Sequence, residues 1–161
     1  MRDDVPWLTP EERATWVSFT LASNEVLAAL DRRLQRVAGL AHSHFAILQV
    51  VSQAPAEGAR MSDVGAALHY SPSRLSHAVG RLERDGWVER RADAEDGRGQ
   101  RVALTDVGHQ RIQEIAPDHI RAVRRLVFDH LSADQVDQLQ AISQALLAGL
   151  DEDDPPATGS G

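Results

Sequence analysis

The 161-residue sequence predicts a mostly helical fold carrying one small β-hairpin. Three observations lead there. Long stretches at both ends repeat apolar residues at spacings of three, four and seven, the period of a helix with one buried side. In the middle, two short helical segments flank a tight turn, and two β-prone runs follow around a polar, glycine-containing tip. Apolar residues make up 42% of the chain but aromatics only 4%, which suits helices packed through Leu, Val, Ile and Ala.

Residues 1–9 read as a flexible lead-in. Thr9-Pro10-Glu11-Glu12 is a capping box with proline at the first helical position. A long helix follows to about Val37, with Trp16, Phe19, Val26, Leu30, Leu34 and Val37 on its apolar side, and Gly39 ends it. A second helix spans about His42 to Ala54, with Phe45, Leu48 and Val51 inward and a weak cap at Ala41 or Ser43. Together, residues 10–54 form an N-terminal helical segment for dimerisation and support. Arg60-Met61 is a candidate short strand.

The organising stretch runs from Met61 to Thr105. A short helix from Ser62 to His69 places Val64 and Leu68 inward. Ser71 is placed to cap the next helix, Pro72 takes its first position, and Gly86 stops it. Leu75, Ala78, Val79 and Leu82 share one side of that helix; Ser73, Arg74, Ser76, His77, Gly80, Arg81 and Arg84 share the other. Arginine bonds bidentately to guanine edges, serine bonds to bases or phosphates, and a helix N-terminus favours phosphate. Trp87–Arg91 and Arg101–Leu104 are the candidate strands, with residues 92–100 as the tip between them. Helix, turn, helix and hairpin make a winged helix-turn-helix over residues 55–104. Arg60, Ser71, Ser73, Arg74, Ser76, His77, Arg81, Arg84 and Arg98 are its candidate DNA contacts. Asp96 is placed to pair with Arg98 and shape the tip.

The run Ser71…Ser73-Arg74-Leu75-Ser76…Arg81-Leu82-Glu83-Arg84-Asp85-Gly86-Trp87-Val88-Glu89-Arg90, followed by Asp93…Asp96-Gly97-Arg98…Val102-Ala103-Leu104-Thr105-Asp106-Val107-Gly108, resembles the multiple-antibiotic-resistance regulator (MarR) family. The resemblance is strongest over residues 61–108. At the wing tip the family usually has Asp-Arg-Arg, whereas this chain has Asp96-Gly97-Arg98 and so lacks one arginine. The resemblance implies a homodimeric regulator on a pseudo-palindromic double-stranded DNA operator, most simply a repressor released by a small-molecule effector. It also implies an effector pocket between the dimerisation helices and the winged module, for which Trp16, His42, Phe45 and His119 are the candidates.

After the hairpin, Thr105-Asp106 caps a helix whose apolar side is Val107, Ile112, Ile115, Ile120, Val123 and Val127. Pro117 is expected to interrupt and kink it. Ser132-Ala133-Asp134-Gln135 is a second capping box, opening a last helix with Val136, Leu139, Ile142, Leu146 and Leu150. Residues 105–150 read as C-terminal dimerisation helices, and 151–161 as a disordered acidic tail.

Charge and composition bound the partners. Net charge is −7, yet residues 60–101 hold eight arginines against seven carboxylates. The acidity therefore lies outside the winged module, and salt-dependent phosphate contacts remain expected. There is no lysine and no cysteine, which excludes zinc fingers and thiol-based oxidant sensing. No run of 18 apolar residues and no secretory signal is visible, so no membrane partner and a cytoplasmic location are expected. The seven histidines show no strong ligand spacing, so no metal and no other cofactor is expected. No phosphate-cradling loop, nucleophile elbow or Cys–His pair is present, so no enzyme is expected. A zinc-responsive regulator, and an architectural or adaptor winged-helix protein without a small ligand, stand as the alternatives.

Overall fold

Thr9 opens the first helix with a reciprocal cap. Its hydroxyl accepts from Glu12 N at 3.1 Å while Thr9 N donates to Glu12 Oε2 at 2.7 Å. The computed structural model describes residues 5–93 and 99–153. Its elements in order are α1 (Pro10–Ala38), α2 (His42–Ser52), β1 (Ala59–Arg60), α3 (Met61–Leu68), α4 (Pro72–Arg84), β2 (Val88–Ala92), β3 (Gln100–Leu104), α5 (Asp106–Leu126), a 3-10 turn (Phe128–His130) and α6 (Ala133–Asp153). They fall into two compact units whose boundary lies between Arg121 and Ala122, inside α5.

In the first unit, α1 ends at Gly39, which takes the left-handed conformation with φ +63°. The α2 N-cap is Ala41, which has no side chain to offer, and the missing acceptor comes from α1: His42 N donates to Asp31 Oδ1 at 2.8 Å. The cap expected at Ala41 or Ser43 is thus supplied from another helix. Phe45, Ile47, Leu48 and Val51 of α2 enter the core with Val64, Leu75, Val79, Leu82, Val88 and Val102. Burying side chains of this size is worth about 1.5–3 kcal/mol each. Ile47 was not among the expected inward residues. It fills the gap between Phe45 and Leu48 because α2 is enclosed on more than one side, with contacts to α1, α3, α4 and β3.

The three strands form one antiparallel sheet in the order β1-β3-β2. Its registers pair Arg60 with Arg101, and Val88 with Leu104 through to Ala92 with Gln100. The expected strand at Arg60-Met61 sits one residue earlier, at Ala59–Arg60, because Met61 already begins α3. The strand side chains Val88, Val102 and Leu104 close the core beneath α4.

Thr105 joins the hairpin to α5. Its Oγ1 donates to Gly86 O at 2.6 Å and accepts from Gly108 N at 3.0 Å. Position 108 needs glycine, since a Cβ there would collide with the Trp87 carbonyl oxygen. The buried stripe of α5 is Gly108, Ile112, Ile115 and His119. This corrects the expected apolar side: Val107 is 53% and Ile120 56% exposed, because each lies one residue off that stripe. Nor does Pro117 interrupt the helix, which continues to Leu126. The carbonyl deprived of a partner belongs to Gln113, and both residues lie on the exposed side where water can take that bond.

In the second unit, Ser132 and Gln135 form the expected box at the start of α6, with Gln135 N donating to Ser132 Oγ at 3.3 Å and Ser132 N to Gln135 Oε1 at 2.9 Å. The helix runs on to Asp153, so residues 151–153, expected in the tail, are helical instead. Residues 154–161 lie outside the described residues.

Candidate nucleic-acid interface

The turn between α3 and α4 is closed by His69, whose φ of +49° makes it a left-handed cap without glycine. Tyr70 N donates back to Gly65 O at 2.9 Å. Ser71 then caps α4, its Oγ accepting from Arg74 N at 3.4 Å and lying 3.3 Å from Ser73 Oγ. Leu75, Val79 and Leu82 anchor the helix in the core. Ser71, Ser73, Arg74, His77, Arg81 and Arg84 are exposed on it. The Arg74 guanidinium lies over the Tyr70 ring at 3.8 Å, which restricts where it points.

Two further candidate DNA contacts are engaged within the fold. Ser76 accepts from Arg90 Nη2 at its carbonyl oxygen (2.8 Å) and at Oγ (3.3 Å). Arg60 pairs through Nε with Asp93 Oδ2 at 2.8 Å. Arg90 itself was not singled out in the sequence, although its position in β2 beside α4 makes it the link between helix and hairpin. Glu83, the only carboxylate within α4, is drawn to the same arginine: Arg90 N donates to Glu83 Oε1 at 3.1 Å. The polar face of α4 is left with guanidiniums, hydroxyls and one imidazole. Arg98 and Asp96 lie outside the described residues.

Three of the four candidate pocket residues meet between α2 and α5. The His119 ring lies 4.6 Å from Phe45 and 5.7 Å from His42, centroid to centroid. His119 is 7% exposed, and its Nδ1 has no hydrogen-bond partner among the described residues. Burial pushes its pKa down, the neighbouring His42 pushes it further, and Asp118 offsets part of this. Burial likewise lowers His42, against a smaller rise from Asp31. Asp118 itself is turned to α1, where it accepts from Arg33 Nε at 2.6 Å and Nη2 at 2.5 Å. The structure does not bring Trp16 to this group. Trp16 is 58% exposed and its ring packs against Phe19, 6.3 Å away on the same helix. Among the described residues, no three His, Asp or Glu side chains converge as metal ligands.

A cleft of about 410 Å³, unforeseen in the sequence, opens at the C-terminal end of α4 between Gly39, Ala41, His44, Arg81, Asp85 and Trp87. Burial lowers the His44 pKa, Arg81 lowers it further, and Asp85 offsets part of this. Its parts are distant in sequence and only the packing of α2 on α4 assembles them.

A capped, arginine-bearing second helix backed by a three-stranded sheet defines a winged helix-turn-helix transcription regulator. The comparisons with known proteins make this specific. Residues 38–99 match a MarR family model. The structure of Sco3205, a MarR family transcriptional regulator from Streptomyces coelicolor in complex with DNA, superposes with a TM-score of 0.88 at 38% identity, covering 99% of this chain and 97% of that one. AbsC, a MarR family regulator from the same organism, gives 0.87 at 30% identity, with 92% and 99% covered. The transcriptional repressor MprA of Escherichia coli K12 is 28% identical over 120 residues, 74% of this chain and 68% of that protein. The chain belongs to the MarR family of DNA-binding transcriptional regulators, which are not enzymes. No helix among the described residues is long and apolar enough to cross a membrane.

Proposed function

We propose that the protein acts as a homodimer on a pseudo-palindromic operator, represses from there, and is released by a small-molecule effector. The carrying observation is the exposed face of α4, where Arg74, His77, Arg81 and Arg84 stand free of the helix's own carboxylate because Glu83 is held by Arg90. Ser73, Arg74 and His77 near the helix N-terminus are the base-reading candidates, with Arg81 and Arg84 toward its end. Ser71 and Ser76 support that surface through the cap and through Arg90, and Arg60 holds the sheet.

The dimer reading rests on apolar faces that one chain leaves uncovered. Trp16, Val17 and Phe19 on α1, and Leu139, Ile142, Leu146 and Leu150 on α6, are each at least 40% exposed. Two recognition helices related by a dyad meet half-sites about 10 base pairs apart. The DNA complex of Sco3205 supports the DNA reading, and the repressor MprA supports the sign of the response. For the effector, the cluster of His42, Phe45 and His119 offers an aromatic wall beside a buried nitrogen without a partner among the described residues. An effector that binds better when the two α4 helices are set wrongly for DNA shifts the population off the operator.

Selection from a random duplex pool tests this reading. Enrichment of an inverted repeat with half-sites about one helical turn apart is the expected result. Recovery of unenriched sequence contradicts it.

A further inference from the structure

The sheet carries a row of arginines that the DNA face does not use. Arg60 of β1 lies opposite Arg101 of β3, and Arg101 lies opposite Arg91 of β2, so three guanidiniums stand side by side across all three strands. Like charges directly opposite one another destabilise a sheet. Arg91 is balanced within its own strand by Glu89, and its Nη1 donates to Ala56 O at 2.9 Å. Arg60 and Arg101 share one acid. The Asp93 carboxylate takes Arg60 Nε at 2.8 Å on Oδ2 and Arg101 Nε at 3.3 Å on Oδ1, and its side chain is only 2% exposed. Burying a carboxylate this deeply is costly without such partners.

The placement of this clasp matters more than its strength. Asp93 directly follows β2, and its N–H donates to Gly99 O at 3.0 Å, one step beyond the last register pair. Arg60 is the N-cap residue of α3, the first helix of the helix-turn-helix. The seam between β1 and β3 has only two register pairs, Ala59–Val102 and Arg60–Arg101. Asp93 therefore ties the hairpin strands to the start of the helix-turn-helix across the weakest seam of the sheet.

We infer that Asp93 is a positioning residue for DNA binding: through Arg60 and Arg101 it fixes the hairpin strands relative to the helix-turn-helix, so that hairpin and α4 engage one duplex together. The inference rests on the DNA reading above. Two elements held at a fixed spacing bind one duplex more tightly than two that move independently.

The test is hydroxyl-radical footprinting, with affinity measured in parallel, on a duplex selected by the wild-type chain. Asp93→Asn leaves Arg60 facing Arg101 without their shared charge. It is expected to keep the protection over the major-groove half-sites, lose the flanking protection given by the hairpin, and bind about tenfold more weakly. Asp93→Asn/Arg101→Gln also removes the repulsion. It should melt cooperatively like wild type yet still lack flanking protection, and it carries the test if the single variant does not fold. Wild-type flanking protection in either folded variant overturns the inference. A wild-type chain that protects no nucleotides in any duplex contradicts the DNA reading itself.

Discussion

Arg90 Nη2 donates to the carbonyl oxygen of Ser76 at 2.8 Å, joining strand β2 to the middle of helix α4. The same side chain reaches Ser76 Oγ at 3.3 Å and approaches Glu83 at 3.7 Å, and is itself mostly buried. Helix α4 is therefore braced by an arginine of the neighbouring strand. Arg90→Ala is expected to lower stability by about 1.5–3 kcal/mol, the range for hydrogen bonds to a charged group. Urea unfolding measures it, and an unchanged midpoint would show that the brace contributes nothing.

Arg74 stands near the N-terminus of α4 with its guanidinium restrained by the Tyr70 ring, and the proposed function makes it a base-reading side chain. Arg74→Ala is expected to cost about 1–3 kcal/mol on a selected site and to relax preference at one base position. Affinity and preference both equal to wild type would remove Arg74 from the base contacts.

Asp31 caps a helix to which it does not belong, through its 2.8 Å bond from His42 N. Asp31→Ala should destabilise the fold by about 0.5–2 kcal/mol, as loss of an N-cap does. Ala41→Ser in that background places a hydroxyl at the cap and is expected to recover part of the loss in the same unfolding assay. No recovery would mean that Asp31 acts through something other than the cap.

Three histidines are expected to make stability depend on pH on the acid side. His42, His44 and His119 all have pKa values lowered in the folded state, first by burial. Below the ordinary imidazole value of about 6.5 the unfolded chain binds more protons than the folded one. Stability is thus full above that pH and is lost as pH falls through the window between the unfolded and folded values. The unfolding midpoint should drop between about pH 7.5 and pH 5.5, and His119→Gln should flatten the drop. A flat wild-type profile contradicts the burial of these rings.

The uncovered stripe on α6 gives a prediction about assembly. Ile142 is 56% exposed and Leu146 50%. Replacing both with aspartate is expected to convert a dimer into a monomer in sedimentation velocity while the winged module keeps its helicity. A variant that sediments as wild type places the interface elsewhere.

Much of this arrangement was legible in local signals. Thr9-Pro10-Glu11-Glu12, Ser71-Pro72 and Ser132–Gln135 start helices because capping depends on neighbours three residues away, and those neighbours are visible in the sequence. Gly39 and Gly86 ended helices for the same reason. What escaped was long-range. The cap on α2 comes from Asp31, eleven positions from the N–H it serves. Arg60 is a candidate DNA contact in the sequence, and only the folded chain shows it held with Arg101 by Asp93, and Arg90 held by Glu83 and Ser76. The family resemblance makes Trp16 a pocket candidate, yet it packs against Phe19 on its own helix and not against His119. Apolar periodicity placed Ile120 inside, but the stripe set by Ile112, Ile115 and His119 leaves it outside.

Whether this winged helix reads a specific duplex as a dimer is tested most directly by fluorescence anisotropy on a selected duplex. Scrambled duplex serves as competitor and salt is varied. Saturation at two chains per duplex, resistance to the scrambled competitor, and an affinity that falls as salt rises are the expected results. Equal competition by selected and scrambled duplex would contradict specific reading.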